Sequence, residues 1–174
     1  VNGSVSACST VFLVYEVNGS FTQLDSMDVA GNWTNVGGDQ RDWTIGQSGT
    51  TPSTDVGPTA AKGGTGGYAF TEASNPTSAS DEFYFESNLL DGATYPLAFT
   101  FDWNKRGNDM GDLILEASNN GGSTWATVWS HLGTDIATAG TDVWRNQFID
   151  LCTLGYTAAS NVKLRFRGVM PTAG

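Results

Sequence analysis

Positive charge is scarce in this chain. Eight lysines and arginines stand against eighteen aspartates and glutamates in 174 residues, a formal net charge of −10. That balance argues against a nucleic-acid partner, because too few cations are present to neutralise a run of phosphates. It also disfavours docking on an anionic membrane. Histidine is nearly absent, and the single one, His131, has no Ser or Cys nucleophile pattern beside it. The two cysteines, Cys8 and Cys152, match no zinc spacing. No apolar run approaches the length of a membrane-spanning helix. No leader pattern is visible at the start, so the chain reads as a mature product or an excised fragment. A helix-forming stretch is missing too, since Gly, Thr, Ser, Asn and β-branched residues interrupt every candidate.

Two readings of the cysteines stay open. One is a disulfide tying an N-terminal strand to a late strand, where closing so long a loop would contribute about 4–5 kcal/mol in the chain-entropy account. The other is a pair of buried thiols. Three sequons, at Asn2, Asn18 and Asn32, accept glycans only in a host that glycosylates.

What the chain does have is glycine, 22 of them, with abundant Ser and Thr, and many short alternating segments. Val11 to Val17, Tyr68 to Glu72, Glu82 to Phe85, Tyr95 to Trp103, Asp112 to Ser118, Thr124 to Trp129, Val143 to Leu151 and Asn161 to Val169 all read as strands. Leu97, Phe99, Phe101 and Trp103 share one face, as do Leu113, Leu115 and Ala117. Val162, Leu164 and Phe166 face one way. Lys163, Arg165 and Arg167 face the other, as a solvated stripe paired with acids on a neighbouring strand. Asn119-Asn120-Gly121-Gly122 between two such segments predicts a hairpin. Ser118-x-Asn120-x-Gly122-x-Thr124-Trp125 also fits the Asp-box pattern with Asn for Asp, and one copy of that motif makes a hairpin, not a propeller. The expected fold is all-β: a two-sheet antiparallel β-sandwich of jelly-roll type.

The densest stretch runs from Gly38 to Ala73. It places Asp39 and Asp42 three residues apart beside Trp43, then a long loop, Thr50 to Gly67, rich in Gly, Pro and Thr, and then a short aromatic strand. A loop this long in a compact domain is functional or tied down from within. Carboxylates beside rigid turns can line an oxygen pocket for a hard cation. Asp28, Asp39, Asp42, Asp55 and Glu72 are the candidate calcium ligands. Trp103, Trp125, Trp129 and Trp144 are candidates for stacking on sugar rings, against packing in the core or at its rim.

Asp39-x-x-Asp42-Trp43, Thr51-Pro52-Ser53, Gly57-Pro58, Gly67-Tyr68, Glu72-Ala73-Ser74, Phe99-x-Phe101 and Gly107 to Leu113 follow one another in order. Gly122 to Trp125, Trp129-Ser130, Gly133, Trp144, Ile149-Asp150-Leu151 and Val162-x-Leu164-Arg165-Phe166 complete the series. The series resembles a MAM domain, the extracellular adhesion module of meprins, neuropilins and receptor tyrosine phosphatases, and especially its versions in secreted bacterial proteins. The resemblance covers about residues 25–169. It implies a jelly-roll sandwich, a non-catalytic role in protein contacts at a cell surface and, for some members, a structural cation. The chain departs from the family pattern in lacking its four cysteines and its closing D-I-A-I-D-D-I-like strand, and in holding Met27 and Asp28 where the family opening has an aromatic residue and Glu.

Residues 1–24 read as an N-terminal strand or the tail of a preceding module, and 25–174 as the sandwich. The expected function is a secreted or cell-surface adhesion or protein-interaction module, with a protein partner or self-association. The alternatives are a carbohydrate-binding module taking a polysaccharide, and a filament subunit that accepts a strand from its neighbour.

Overall fold

The structure, a computed structural model, describes residues 27–29, 31–53, 55–72, 80–90, 98–108, 110–136, 142–157 and 161–171. Regular structure among them is almost wholly β: β1 Trp33–Asn35, β2 Thr44–Gln47, β3 Tyr68–Phe70, β4 Glu82–Ser87, β5 Ala98–Trp103, β6 Asp112–Ser118, β7 Ala126–His131, β8 Arg145–Asp150 and β9 Lys163–Val169. A single 3-10 turn, Lys62–Gly64, interrupts the long β2–β3 connection. The segment Val11 to Val17 and the division at residue 24 lie outside the described residues.

The strands form three antiparallel sheets. The largest has the order β1-β4-β9-β6-β7, while β2 pairs with β3 and β5 with β8. Alternation is clean in the two strands at the heart of the large sheet. In β4, Phe83, Phe85 and Ser87 are buried and Glu82, Tyr84 and Glu86 are half-buried on the other face. In β9, Leu164, Phe166 and Gly168 are buried and the three cations alternate with them. A strand with period-two polarity has one register that buries its apolar side chains, and that register pairs Phe85 with Phe166 and Phe166 with Leu115.

Phe166 is the hub of the interior. Its ring centroid lies 5.0 Å from Phe101, 5.3 Å from Trp33, 6.1 Å from Phe99 and 6.2 Å from Trp43. These contacts bring the β5–β8 sheet and the approach to β2 against the five-stranded sheet. Ile149 from β8 and Leu151 just after it, both buried, complete that contact. Tyr156 closes the far side, donating its hydroxyl to the Ala117 carbonyl at 3.1 Å. The arrangement is sandwich-like, and it differs from the expected two-sheet count because β2–β3 and β5–β8 are separate hydrogen-bonded ladders among the described residues.

No helix among the described residues is long and apolar enough to cross a membrane.

Candidate functional site

The five acids singled out as calcium ligands stand in separate settings. Asp39 accepts the Tyr84 backbone N–H, docking the Gly37-Gly38-Asp39 turn on β4. Burial, the largest influence, pushes its carboxyl up, with Asp42 and Glu82 adding to the rise and the Tyr84 N–H opposing it. Asp42 is exposed. Asp55 lies 3.8 Å from the Arg106 guanidinium and holds a left-handed φ of 58°. Glu72 accepts the Ser53 hydroxyl at 3.0 Å. Asp28 sits against the glycine pair ahead of β3, where a Cβ at Gly66 or Gly67 would come within 3.2 Å of its Oδ1. Among the described residues no group of three or more His, Cys, Asp or Glu side chains is placed to hold a metal ion.

The loop that prompted the cation reading is braced by protein contacts. Tyr68 donates its hydroxyl to the Gly49 carbonyl, and Gln47 donates its amide to the Thr50 carbonyl. The Thr51 hydroxyl donates to the Val56 carbonyl across the bend. Gly57 N–H donates to the Arg106 carbonyl at 2.6 Å while Arg106 Nη1 donates back to the Gly57 carbonyl at 3.1 Å. Asp142 accepts from Thr59 N–H at 2.6 Å and from its hydroxyl at 2.9 Å, and also receives the Asn104 amide. Trp144 Nε1–H donates to the Ala60 carbonyl at 3.1 Å. A cleft of about 290 Å³ opens between this loop and Arg106. Sequence reading found the loop but not its braces, because Arg106, Asp142 and Trp144 come from distant positions with no local signature.

The four tryptophans are spent mainly on packing. Trp103 is 9% exposed and lies 5.4 Å from Trp129, which in turn stands edge-on to Phe101 at 5.1 Å. Trp144 meets Tyr68 edge-on at 5.8 Å. Trp125 is half-buried, with the Arg165 guanidinium 4.4 Å above its ring.

That guanidinium is the centre of a charge lattice on the outer face of the large sheet. Tyr84 takes its other side at 4.2 Å. Arg165 pairs with Glu116 at 2.6 Å, Arg167 with Glu82 at 2.7 Å and with Glu116 at 3.2 Å, and Lys163 with Glu86 at 2.7 Å. The expected pairing of the stripe with neighbouring acids is present, though the stripe is less solvated than a bare sheet face, since Arg165 and Glu116 side chains are only 13% and 9% exposed. Burial alone would raise the Glu82 carboxyl; hydrogen bonds from Tyr84 and Arg167 outweigh it and hold it below its ordinary value.

At the opposite end from the hairpin lies a cluster that the sequence did not announce. Lys105 is 4% exposed and its ammonium donates to the His131 carbonyl at 2.8 Å. Burial pulls its pKa down to about 8, against the opposing pull of Asp112 and Asp135. His131 Nε2 lies 3.7 Å from Asp135, which also receives Arg145 Nε at 2.9 Å. The His131 ring rests 4.6 Å from Trp103. No local pattern in the sequence marks Lys105, and only the fold shows that it is buried.

The expected disulfide has one end in view. Cys152 is half-buried in the turn after β8, its N–H donating to Asp150 Oδ1 at 2.9 Å; Cys8 lies outside the described residues. The hairpin motif is formed as read: the Ser118 hydroxyl oxygen accepts Gly122 N–H at 2.8 Å and Asn120 Oδ1 accepts Thr124 N–H at 3.0 Å.

The chain matches no protein-family model, and no curated protein matches it.

Proposed function

We propose that this chain is a non-catalytic adhesion or protein-interaction module of MAM type, carried by a secreted or cell-surface protein, with its strands closing as a jelly-roll sandwich. The observation that carries this reading is the bracing of the 48–61 loop. Eight hydrogen bonds, from Gln47, Thr51, Gly57, Thr59, Tyr68, Arg106 and Trp144, hold a surface segment that contributes no core strand. They include both bonds from Thr59 to Asp142 and both between Gly57 and Arg106. Surface loops fixed on a rigid scaffold are where recognition concentrates. A loop ordered in advance loses less entropy when a partner docks. The motif series from Asp39 to Phe166 supplies the MAM assignment.

Calcium belongs to this reading as an added brace near Asp28, with loop carbonyls and water completing the shell. A melting temperature higher in calcium than in chelator supports that brace, and coincident curves remove it.

The function is tested by sedimentation velocity over a wide concentration range, together with cell-surface binding of the labelled chain. Self-association or saturable surface binding that Asp142→Ala weakens, while the fold persists, supports the module. A chain that stays monomeric, binds no cell surface and turns over a substrate by itself ends the proposal.

A further inference from the structure

At the pole where β4 ends, β9 begins and the β6–β7 hairpin turns, an open cleft of about 540 Å³ is lined by Asn88, Leu89, Gly121, Asn161 and Lys163. Its walls are fixed by backbone pairing. Asn88 N–H donates to the Asn32 carbonyl at 2.7 Å, Leu90 N–H to Val162 at 2.8 Å and Gly121 N–H to Asn161 at 2.8 Å. Ser87 fastens the corner, its hydroxyl donating to the Asn88 carbonyl and accepting Leu164 N–H. Among the described residues the Asn88, Leu89 and Asn161 side chains are lightly engaged. The Asn88 amide reaches Asn32 Oδ1 at 3.4 Å and no other described residue, and Asn161 and Leu89 are exposed, Leu89 by 58%.

The chemistry of this lining is narrow. No carboxylate lines the cleft among the described residues, which disfavours a cation. The cation among its described residues, Lys163, is already neutralised by Glu86 at 2.7 Å, and the whole molecule carries −10, which disfavours an anion. The Asn88, Leu90 and Gly121 N–H groups at the rim are already used, which shortens any ladder an added peptide strand could extend. What remains is two primary amides, each offering two donors and an acceptor, an ammonium with further donors, and one apolar side chain. Vicinal hydroxyl groups on a ring with a C–H face match that set, and the volume falls in the range of small-ligand sites.

We propose that this cleft binds a neutral sugar unit, a mono- or disaccharide segment of a glycan, with the Asn88 and Asn161 amides and Lys163 on its hydroxyls and Leu89 against its C–H face. Trp125 stands at the rim beside Lys163: a Cβ on Gly122 would lie 3.3 Å from Trp125 Cζ2 and 3.6 Å from Lys163 Cδ. The indole is therefore the natural optical reporter. The site is independent of the adhesion reading and survives its failure.

Calorimetric and tryptophan-fluorescence titrations of the full chain with maltose, cellobiose, lactose, xylobiose, mannobiose and N,N′-diacetylchitobiose test the proposal. At least one disaccharide is expected to bind saturably with a change in indole emission. Asn161→Ala and Asn88→Ala are each expected to weaken it about tenfold, the loss of one good hydrogen bond, at an unchanged melting temperature. Leu89→Asp, at an exposed position, supplies a variant that keeps the fold and loses the apolar contact. Absence of saturable binding by every sugar overturns the proposal. So does binding that all three substitutions leave intact, or binding of a neutral glutamine-rich peptide with the same asparagine dependence while the sugars are inert.

Discussion

Ser118 and Asn120 fix the β6–β7 turn with two side chains. The buried Ser118 hydroxyl oxygen accepts both the Asn120 and Gly122 N–H groups, at 3.2 and 2.8 Å, and the Asn120 amide grips Thr124 through both its oxygen and its nitrogen. Ser118→Ala leaves two part-buried turn amides without their acceptor and is expected to lower stability by about 1–2 kcal/mol, read by denaturant unfolding. Asn120→Asp keeps the acceptor, and the Thr124 hydroxyl then donates to it, so a change within about 0.5 kcal/mol is expected. Gly111 is a sharper case. A Cβ there would lie 1.9 Å from the Val169 carbonyl oxygen, and neither backbone can yield without breaking the β6–β9 pairing. Gly111→Ala is expected to cost about 3 kcal/mol, seen as a fall in melting temperature.

Within the strands, the alternation of β4, β5, β6 and β9 was legible because one apolar face per strand is a local pattern, and the structure buries Phe85, Leu115, Leu164 and Phe166 on that account. Strand ends were less so: the predicted Thr124 start gave way to Ala126, since Thr124 serves the turn. The grouping of β2–β3 and β5–β8 as separate ladders was not legible at all, because strand alternation carries no record of which neighbour pairs with which. The same holds for the acids. Asp39, Asp55 and Glu72 read as one oxygen-rich cluster along the chain, yet they are engaged by Tyr84, Arg106 and Ser53, whose proximity comes from tertiary folding. The lattice of Glu82, Glu86, Glu116, Lys163, Arg165 and Arg167 gives this scale its test. Arg165→Met leaves Glu116, 7% exposed, with only the Arg167 contact, and about 3 kcal/mol of destabilisation is expected. Changing Arg165 and Glu116 together to apolar residues is expected to recover much of that loss, as a double-mutant cycle would show.

For the whole molecule, alkaline pH acts through buried groups of opposite sign, Lys105 on one side and the tyrosines, Tyr68 foremost, on the other. Burial holds Lys105 near 8, below its ordinary 10.5. The unfolded chain thus binds the extra proton between those values, and stability rises with pH across that window. Tyr68, pushed up to about 12 by burial with Asp142 adding to the shift, binds its proton more tightly when folded. Its contribution is complete below pH 10 and is lost as pH climbs from 10 towards 12. A melting temperature that rises from pH 8 and falls beyond pH 10 is expected. In Lys105→Met the rise should vanish while the fall remains, as differential scanning calorimetry would record. A flat wild-type profile across pH 8–10 contradicts the account.

In the large sheet, β9 lies between β4 and β6 although it comes last of the described strands. A nascent chain emerging from the ribosome therefore makes the flanking pairs, β1 with β4 and β6 with β7, before the piece that joins them exists. Until residues 163–169 clear the exit tunnel, two half-sheets each present a long raw edge, the condition under which chaperone capture or cross-chain pairing competes with native assembly. Completion by a central keystone also makes the closing step non-local, so slow maturation is built into the order of the strands.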